Sequence, residues 1–403
     1  MIEDMPKETS SPFTPGFPVP VEFFVGRIPE VTHLRNKLIS AQSGRLQVEF
    51  LIGERGIGKS SLASFVRILA EREHHMIGLH TFLGGVTSLE EMVRRVFDRL
   101  LKESVGTVWH EKVKKFFGNR IREVGLFGIS VEFEAPAQDL RRMVHDFAPA
   151  LRNLVDRVKD EKSGIFLVLD DINGLASSPD FANWLKSLVD EIATSQKPLP
   201  LYLLLVGLEE RRQSLIELQP SLARIFDLVE IRAWSEEETR TFYQNAFPRI
   251  GMKVEEPALD LLTRFAGGLP VLAHEIGDAA FNLDTDGRID EVDAANAVVV
   301  AADIVGRKHL EPQVFNAIRS PRYRSILRKL AKGPFGVGFE RGEALKRLAR
   351  EEVQVFDNFL RRMSQLGVVC RDPERGAGAY RFTNLLHYLY FQMEAERARE
   401  THE

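Results

Sequence analysis

Eight consecutive residues carry the clearest chemistry in the sequence. They combine three glycines with a lysine and a serine, in the order Gly53-Glu54-Arg55-Gly56-Ile57-Gly58-Lys59-Ser60. Glycines let backbone N–H groups close around phosphate oxygens, where a Cβ would obstruct the approach. This pattern is the phosphate-binding P-loop, in which the lysine reaches the β- and γ-phosphates and the hydroxyl ligates Mg²⁺. The motif therefore predicts a site for ATP and Mg²⁺.

The residues on both sides of the motif are those that a P-loop requires. Residues 47–52 predict a short strand, and Leu62, Phe65 and Leu69 share one face of a following helix. The positive end of that helix favours phosphate, so we count Ser61 with the phosphate-binding residues. The alternative is a coincidental glycine-rich turn, but the four specified positions arise by chance in such a chain only about once in a hundred.

Two adjacent carboxylates complete the predicted site. Residues 164–169 form an apolar run typical of a strand in a parallel sheet covered on both faces, and Asp170 and Asp171 follow it. We expect Asp170 to hold Mg²⁺, usually through water, and Asp171 to polarise the attacking water, so that Lys59 and Asp171 are the predicted catalytic residues. Two solvated turn residues are the alternative, and the presence of the P-loop argues against it.

Length and composition bound the class of protein. The 403 residues are 44% hydrophobic and 28% charged with a formal net charge of −4, as in an ordinary soluble protein of two or three domains. Cys370 is the only cysteine, which excludes an intrachain disulfide and a thiolate zinc site and suits a cytoplasmic location. The first residues lack a signal-peptide pattern, and every apolar run is shorter than a membrane span, so we expect no membrane partner.

The order of predicted elements divides the chain into four parts. Residues 1–20 hold five prolines and predict a flexible arm with nothing to bury. Strands alternating with helices over residues 21–232 predict a doubly wound α/β domain with a parallel sheet, carrying an insertion at about 106–138. Residues 233–311 predict a helical lid. Residues 312–403 follow the order of a winged helix-turn-helix domain with a C-terminal helix.

The motifs resemble those of the AAA+/STAND group of P-loop ATPases. The resemblance is carried by their order along the chain: Phe24-Val25-Gly26-Arg27 with Glu30, the P-loop, Leu169-Asp170-Asp171, and Gly268-Leu269-Pro270. Within that group the chain is similar to prokaryotic predicted ATPases whose ATPase domain resembles the origin-recognition initiators. The similarity covers roughly residues 21 to 395 and rests on motif order.

This resemblance implies further nucleotide-binding residues. Val25, Gly26 and Arg27 would lie against adenine, and Gly268 and Pro270 would begin a lid helix over the nucleotide. Each segment also has a plain structural explanation, since glycine commonly marks a turn and Gly followed by Pro commonly ends one helix and starts the next.

Two departures from the group favour a slow switch over a fast motor. The strand that ends Leu205-Val206-Gly207 offers no polar sensor residue, and Leu269-Pro270-Val271 stands where the lid usually carries a sensing arginine. Arg224 lies about where an arginine finger reaching a neighbouring subunit would lie, which implies self-association through the ATPase domain. A solvated arginine at a helix end is the alternative.

Charge is distributed unevenly along the chain. Residues 319–381 hold fifteen Lys and Arg against seven Asp and Glu, a balance of +8 within a chain of −4. A basic module on an acidic body is the expected electrostatic footprint of nucleic-acid contact. The residues predicted to contact double-stranded DNA lie on the third helix and the wing of the module: Arg361, Arg362, Arg371, Arg375 and Arg381.

Two functions remain open from the sequence. The first is an ATP-binding, slowly hydrolysing switch that associates with DNA through its winged helix. The second is a STAND-like signalling or scaffold ATPase whose winged helix is an internal clamp and recruits protein. A nucleotide kinase is disfavoured by the lid and the winged helix.

Overall fold

The apolar runs of the sequence become the strands of one parallel sheet. The computed structural model describes residues 10–17, 19, 24–124, 130–333 and 337–400. Its contacts divide the chain into a sheet unit, Pro20–Arg232, and a helical unit, which joins Met1–Val19 to Ala233–Glu403. The division of the helical unit into a lid and a winged helix stays a prediction.

The sheet unit alternates strands with helices. Its elements are α1 (Ile28–Gln42), β1 (Gln47–Ile52), α2 (Lys59–Arg72), β2 (Ile77–Phe82), α3 (Leu89–Ser104), α4 (His110–Phe117), β3 (Ile121–Val124), β4 (Ser130–Phe133), α5 (Ala137–His145), α6 (Phe147–Val158), β5 (Ile165–Asp170), α7 (Pro179–Thr194), β6 (Leu201–Gly207), α8 (Glu209–Leu218) and β7 (Asp227–Glu230). The predicted α/β class with a parallel sheet is confirmed.

The order of the strands brings distant segments to one edge of the sheet. The strands lie in the order β2-β5-β6-β1-β7, and each neighbouring pair is parallel. All residues of β5 and β6 are buried, as expected for a parallel sheet covered on both faces. Because β1 and β5 both neighbour β6, their carboxyl ends meet at the same edge on either side of Gly207.

The segment before β5 corrects one prediction. The sequence predicts a single amphipathic helix from Leu140 to Val158, but the structure has two helices, α5 and α6, that are separated at Asp146. Pro149 explains the break, because a proline inside one continuous helix would lose a backbone hydrogen bond and clash with the carbonyl four residues earlier. In the first turn of α6 the same proline is tolerated.

The insertion predicted at about 106–138 contributes a hairpin outside the main sheet. β3 and β4 pair antiparallel as a separate two-stranded sheet, and residues 125–129 between them lie outside the described residues. Phe133 of β4 is buried and lies 5.0 Å from Phe117 and 5.7 Å from Phe97 between ring centroids. The hairpin therefore extends the core of the sheet unit.

The helical unit begins directly after the last strand of the sheet. Its elements are α9 (Glu236–Ala246), β8 (Lys253–Val254), α10 (Glu256–Ala266), α11 (Pro270–Leu283), β9 (Arg288–Ile289), α12 (Glu291–Val305), a π-helical segment (Gly306–Phe315), α13 (Pro321–Lys332), β10 (Gly338–Glu340), α14 (Arg341–Leu345), α15 (Arg350–Val353), α16 (Phe356–Gln365), β11 (Val369–Arg371), β12 (Ala379–Phe382) and α17 (Leu385–Glu400). Capping boxes at Ser235 and Asp290 fix the starts of α9 and α12.

The C-terminal part of this unit has its own small core. β10, β12 and β11 form an antiparallel sheet in that order, and Phe339, Phe359 and Phe382 belong to one buried cluster with residues of α13 and α17. The sequence did not predict β10, because three residues are too few to show an alternating pattern. The sequence predicts Gln354 in the exposed first half of the third helix of the module, whereas the structure places it between α15 and α16.

The N-terminal arm differs from its prediction. Phe13 is only 4% exposed and packs in the helical unit, with ring centroids 5.1 Å from Phe247 and 5.8 Å from Phe242. The ring also covers Gly277, where a Cβ would come within 2.4 Å of it. The prediction of an arm with nothing to bury is therefore wrong at Phe13, because its partners lie more than two hundred residues away in the sequence.

A histidine of α11 holds the same arm by its backbone. The Thr14 backbone N–H donates to Nδ1 of His274 at 3.1 Å, so the His274 ring is neutral at that nitrogen. Burial lowers the pKa of His274 to about 4, which keeps the ring neutral at physiological pH. The arm is thus fixed by a buried aromatic ring and one hydrogen bond.

We expect Phe13→Ala to destabilise the helical unit by about 3 kcal/mol, the usual cost of removing a buried phenylalanine ring. Phe17 is the matched control, since it lies in the same arm and is 77% exposed. Phe17→Ala should change the free energy of unfolding by less than about 0.5 kcal/mol. Urea denaturation of both variants measures the difference, and equal stabilities would contradict the packing of Phe13.

Candidate nucleotide site

The P-loop connects the carboxyl end of β1 to the start of α2. Gly56 and Gly58 have φ angles of 76° and 96°, in the left-handed region that disfavours any residue with a Cβ. Ile57 between them is buried and anchors the loop to the core. Ser60 and Ser61 lie in the first turn of α2, where the positive dipole end of the helix favours phosphate.

The Lys59 side chain folds back over the loop that carries it. Its Nζ donates to the backbone carbonyls of Gly53 and Glu54, each at 2.7 Å. Burial lowers the pKa of Lys59, while the nearby carboxylates of Asp170 and Asp171 act in the opposite direction. The structure therefore brings the predicted lysine and both predicted carboxylates into one electrostatic neighbourhood.

The two carboxylates have different surroundings. Asp170 ends β5 and is only 3% exposed, and its backbone carbonyl accepts from Leu83 N–H at 2.7 Å. Asp171 is exposed and adopts a left-handed φ of 56°, while Asn173 Nδ2 donates to its Oδ1. A non-glycine residue in that region is uncommon, although aspartate adopts it more readily than most, and such residues cluster at active sites and turns. The buried carboxylate suits a fixed ligand, and the exposed one can reach water.

His80 is a site residue that sequence reasoning missed. It lies in β2, is 4% exposed, and its Nε2 is 2.8 Å from Oδ2 of Asp170. The available signal was one histidine among the largely apolar residues 77–82, which form β2. That signal is weak, because the contact depends on which residues of β2 and β5 lie side by side.

The segment before α1 contacts the P-loop through Arg27. This residue has a left-handed φ of 61° and is 6% exposed, and its Nη2 donates to the Ile57 carbonyl at 3.1 Å. Phe24 stacks on Phe65 of α2 at 4.4 Å between ring centroids. The segment thus supports the loop and its helix. The adenine contact of Val25, Gly26 and Arg27 stays a prediction.

Gly268 and Pro270 lie in the turn that begins α11 of the helical unit. The Gly268 carbonyl accepts from Trp234 N–H at 2.8 Å, and a Cβ on Gly268 would come within 2.3 Å of the Trp234 carbonyl oxygen. Close approach of two backbones therefore requires glycine here. Gly268 also lines a cavity of about 490 Å³ with Trp234, Thr239 and Thr263.

The remaining predicted residues lie at exposed positions or strand ends. Arg224 is exposed at the end of a 3₁₀ helix, Pro220–Arg224. β6 ends at Gly207, which has no side chain to act as a sensor. Of the five arginines predicted to contact DNA, Arg362 is half-buried and four are exposed: Arg361, Arg371, Arg375 and Arg381.

A family model matches the part of the chain that contains the P-loop and the two carboxylates. Residues 24–206 match the family model described as AAA ATPase domain. No curated protein matches the chain. Among the described residues, no helix has the length and apolar composition needed to cross a membrane.

Two solved structures share the fold. A Walker-type ATPase of Pyrococcus abyssi is 16% identical with a TM-score of 0.57, over 92% of this chain and 96% of that one. The ORC2 protein of Aeropyrum pernix, solved with ADPNP and ADP, is 17% identical with a TM-score of 0.58, over 94% and 98%. At these identities the likeness shows the fold alone. The P-loop geometry and the family match together show that the chain carries an AAA ATPase domain over residues 24–206 and is an ATP-binding P-loop ATPase.

Proposed function

We propose that this ATPase is a slow nucleotide-dependent switch that binds double-stranded DNA through a winged helix. The observation that carries the DNA contact is the set of exposed arginines on α16 and on the β11–β12 hairpin. α13 to α16, followed by a hairpin, give the element order of a winged helix. The fold shared with the ORC2 protein supports the proposal only as a shared architecture.

The charges of the C-terminal module favour DNA phosphate as the partner. Several of its cations are already paired, such as Lys329 with Glu352 at 2.7 Å and Lys332 with Glu396 at 2.9 Å. Among the described residues, Arg361, Arg371 and Arg375 form no ion pair with a carboxylate. Exposed guanidinium groups that form no ion pair are suited to phosphate oxygens.

The predicted contacts give affinity without sequence preference. The exposed start of α16 offers Asn358 to base edges, whereas Asp357 there is paired in two hydrogen bonds with Arg341, at 2.8 and 2.9 Å. Phosphate contacts position a protein on DNA but carry no sequence information. We therefore propose binding to duplex DNA of any sequence, with a steep dependence on salt.

We expect the triple variant of Arg361, Arg371 and Arg375 to Ala to bind all duplexes more weakly and to flatten the salt slope by up to about three units. An electrophoretic shift assay with and without ATP, at two salt concentrations, measures both effects. The control also removes three exposed arginines, from outside the module: Arg141, Arg232 and Arg288, which are 78%, 80% and 66% exposed.

The control should keep the wild-type slope, since it loses the same charge at other places. If wild-type protein retains no duplex at low salt with ATP present, DNA binding is excluded. The signalling or scaffold alternative, in which the module recruits protein, then takes its place.

Mg²⁺ is the proposed companion of ATP. The donor set fits, because Ser60 supplies a hydroxyl in the first turn of α2 and Asp170 supplies a buried carboxylate oxygen, both hard ligands that Mg²⁺ prefers. When bound, Mg²⁺ neutralises charge on the β- and γ-phosphates. The protein's own groups would position the phosphates through Lys59 and orient the attacking water through Asp171.

The proposal of slow hydrolysis rests on the groups that this site provides to stabilise charge in the transition state. Positioned charges supply most of the barrier lowering in phosphoryl transfer. Gly207, at the end of β6, brings no sensor side chain to the site.

Arg224 is exposed, and we propose that it acts on the nucleotide of a second copy of the chain. If so, the turnover per molecule rises with protein concentration in the wild type but not in Arg224→Ala. A rate independent of concentration in both would exclude the finger role.

A further inference from the structure

We infer that His80 is a positioning residue for the Asp170 carboxylate and sets how tightly the nucleotide site holds Mg²⁺. The inference rests on the proposed use of Mg²⁺ at Asp170. It concerns a side chain from a neighbouring strand that belongs neither to the P-loop motif nor to the sequence motif of the two aspartates.

The register of two strands places the histidine beside the carboxylate. β2 is the edge strand of the sheet and pairs only with β5 among the described strands, so that His80 lies opposite Val168 and Phe82 opposite Asp170. His80 and Asp170 are 4% and 3% exposed. Their 2.8 Å hydrogen bond is therefore shielded from bulk water, and a shielded hydrogen bond is electrostatically stronger than one exposed to solvent.

β2 and the residue that follows it contact both the backbone and the side chain of Asp170. Leu83 N–H donates to the Asp170 backbone carbonyl at 2.7 Å, while His80 Nε2 contacts its carboxylate. The imidazole is itself fixed, because it stacks on the Phe82 ring at 4.4 Å between centroids and 22° between planes. The histidine is thus a rigid support for one carboxylate oxygen.

The chemistry of the His80–Asp170 pair determines which group donates and how the carboxylate is oriented. A carboxylate oxygen accepts hydrogen bonds, so Nε2 of His80 is the donor in this pair. The terminal torsion of an aspartate is broad, and a donor fixed to Oδ2 removes much of that freedom. Oδ1 is then held in one orientation. Partners that orient a metal-binding group in this way typically alter metal affinity by ten- to a hundredfold.

A purely structural role for the pair makes a different prediction. A buried hydrogen bond that only stabilises the sheet would change folding stability and every ligand affinity together. A positioning role changes the Mg²⁺ requirement while leaving the affinity for Mg²⁺-free ATP unchanged, because Lys59 and the loop backbone bind the phosphates without Asp170.

The test compares two variants of His80. His80→Phe keeps an aromatic ring that can stack on Phe82 but removes the N–H donor. His80→Gln removes the ring but its side-chain amide reaches the position of Nε2. The matched control is His74→Phe, which removes another buried histidine of the sheet unit, one that contacts Gln42 at 3.0 Å.

Calorimetry measures ATP affinity first in excess chelator and then during a Mg²⁺ titration. For His80→Phe we expect chelator-state ATP affinity within about twofold of wild type and a half-saturating Mg²⁺ concentration raised about tenfold or more. His80→Gln should recover most of the wild-type value, and His74→Phe should match wild type in both measurements.

The outcomes separate this inference from the proposed function. If Mg²⁺ does not change ATP affinity in the wild type, that result contradicts the proposed Mg²⁺ site itself. If the wild type responds and His80→Phe has the same half-saturating concentration, or loses chelator-state affinity in proportion, the positioning role is overturned. Should His80→Phe fail to fold, His80→Asn replaces it, because its shorter amide stops short of Nε2. Equal Mg²⁺ requirements of the Asn and Gln variants would then overturn the inference.

Discussion

Lys59→Ala is expected to lower the affinity for ATP by at least about a hundredfold. Hydrogen bonds from a charged group contribute about 1.5–3 kcal/mol each, and each 1.4 kcal/mol is a factor of ten in affinity. Lys59 has the position to make two such bonds to phosphate oxygens, since its ammonium already bridges two carbonyls of the loop. Calorimetry with ATP and Mg²⁺ measures the loss.

The fold should survive this substitution. In the structure Lys59 donates to the backbone carbonyls of Gly53 and of the exposed loop residue Glu54. Among the described residues it forms no direct ion pair with a buried carboxylate. Lys102→Ala is the control, because Lys102 lies on the surface of α3 and pairs with Asp98. Surface pairs of this kind contribute only a few tenths of a kcal/mol. An unchanged ATP affinity in Lys59→Ala would remove the basis for the nucleotide site.

Asp171→Asn is expected to bind ATP with unchanged affinity and to hydrolyse it about 10²- to 10⁴-fold more slowly. This factor is the usual contribution of a positioned acid or base to the rate. Asparagine is the appropriate substitution, because it tolerates the left-handed φ of 56° as aspartate does and still offers an oxygen to Asn173. The amide cannot take a proton from water. Binding by calorimetry and turnover by phosphate release measure the two properties separately.

Asp180→Asn is the matched control for this change. Asp180 is an exposed carboxylate in the first turn of α7, on the stretch that follows β5. We expect wild-type turnover in this variant, since its charge only complements a helix dipole. A wild-type rate as fast as that of motor ATPases, and equal in Asp171→Asn, would contradict both the base role and the slow switch.

The sequence located correctly in the fold those candidate residues whose neighbours are close in the chain. The P-loop is eight consecutive residues, and Asp170 follows from the rule that parallel strands end at one edge of a sheet. His80 could not be predicted in the same way. Its role depends on a register between β2 and β5, which is fixed by packing across 90 residues of chain.

The same reasoning explains the other differences. The break before Pro149 was readable in principle, since proline disrupts a continuous helix, but the apolar spacing on both sides concealed it. The position of Phe13 was not readable, because a single aromatic residue among prolines has no periodicity. Only the tertiary structure shows the hydrophobic site formed by Phe242, Phe247 and Gly277 that receives it.

The docked arm has a practical consequence for dividing the gene into fragments. A fragment that begins at Ala233 would lack Phe13, and so would be produced with an open aromatic site in place of a filled one. Apolar surface uncovered in this way promotes association between molecules. A fragment intended to hold the helical unit in its native state therefore needs residues 10–17 as well, joined to Ala233 through a linker or added as a peptide.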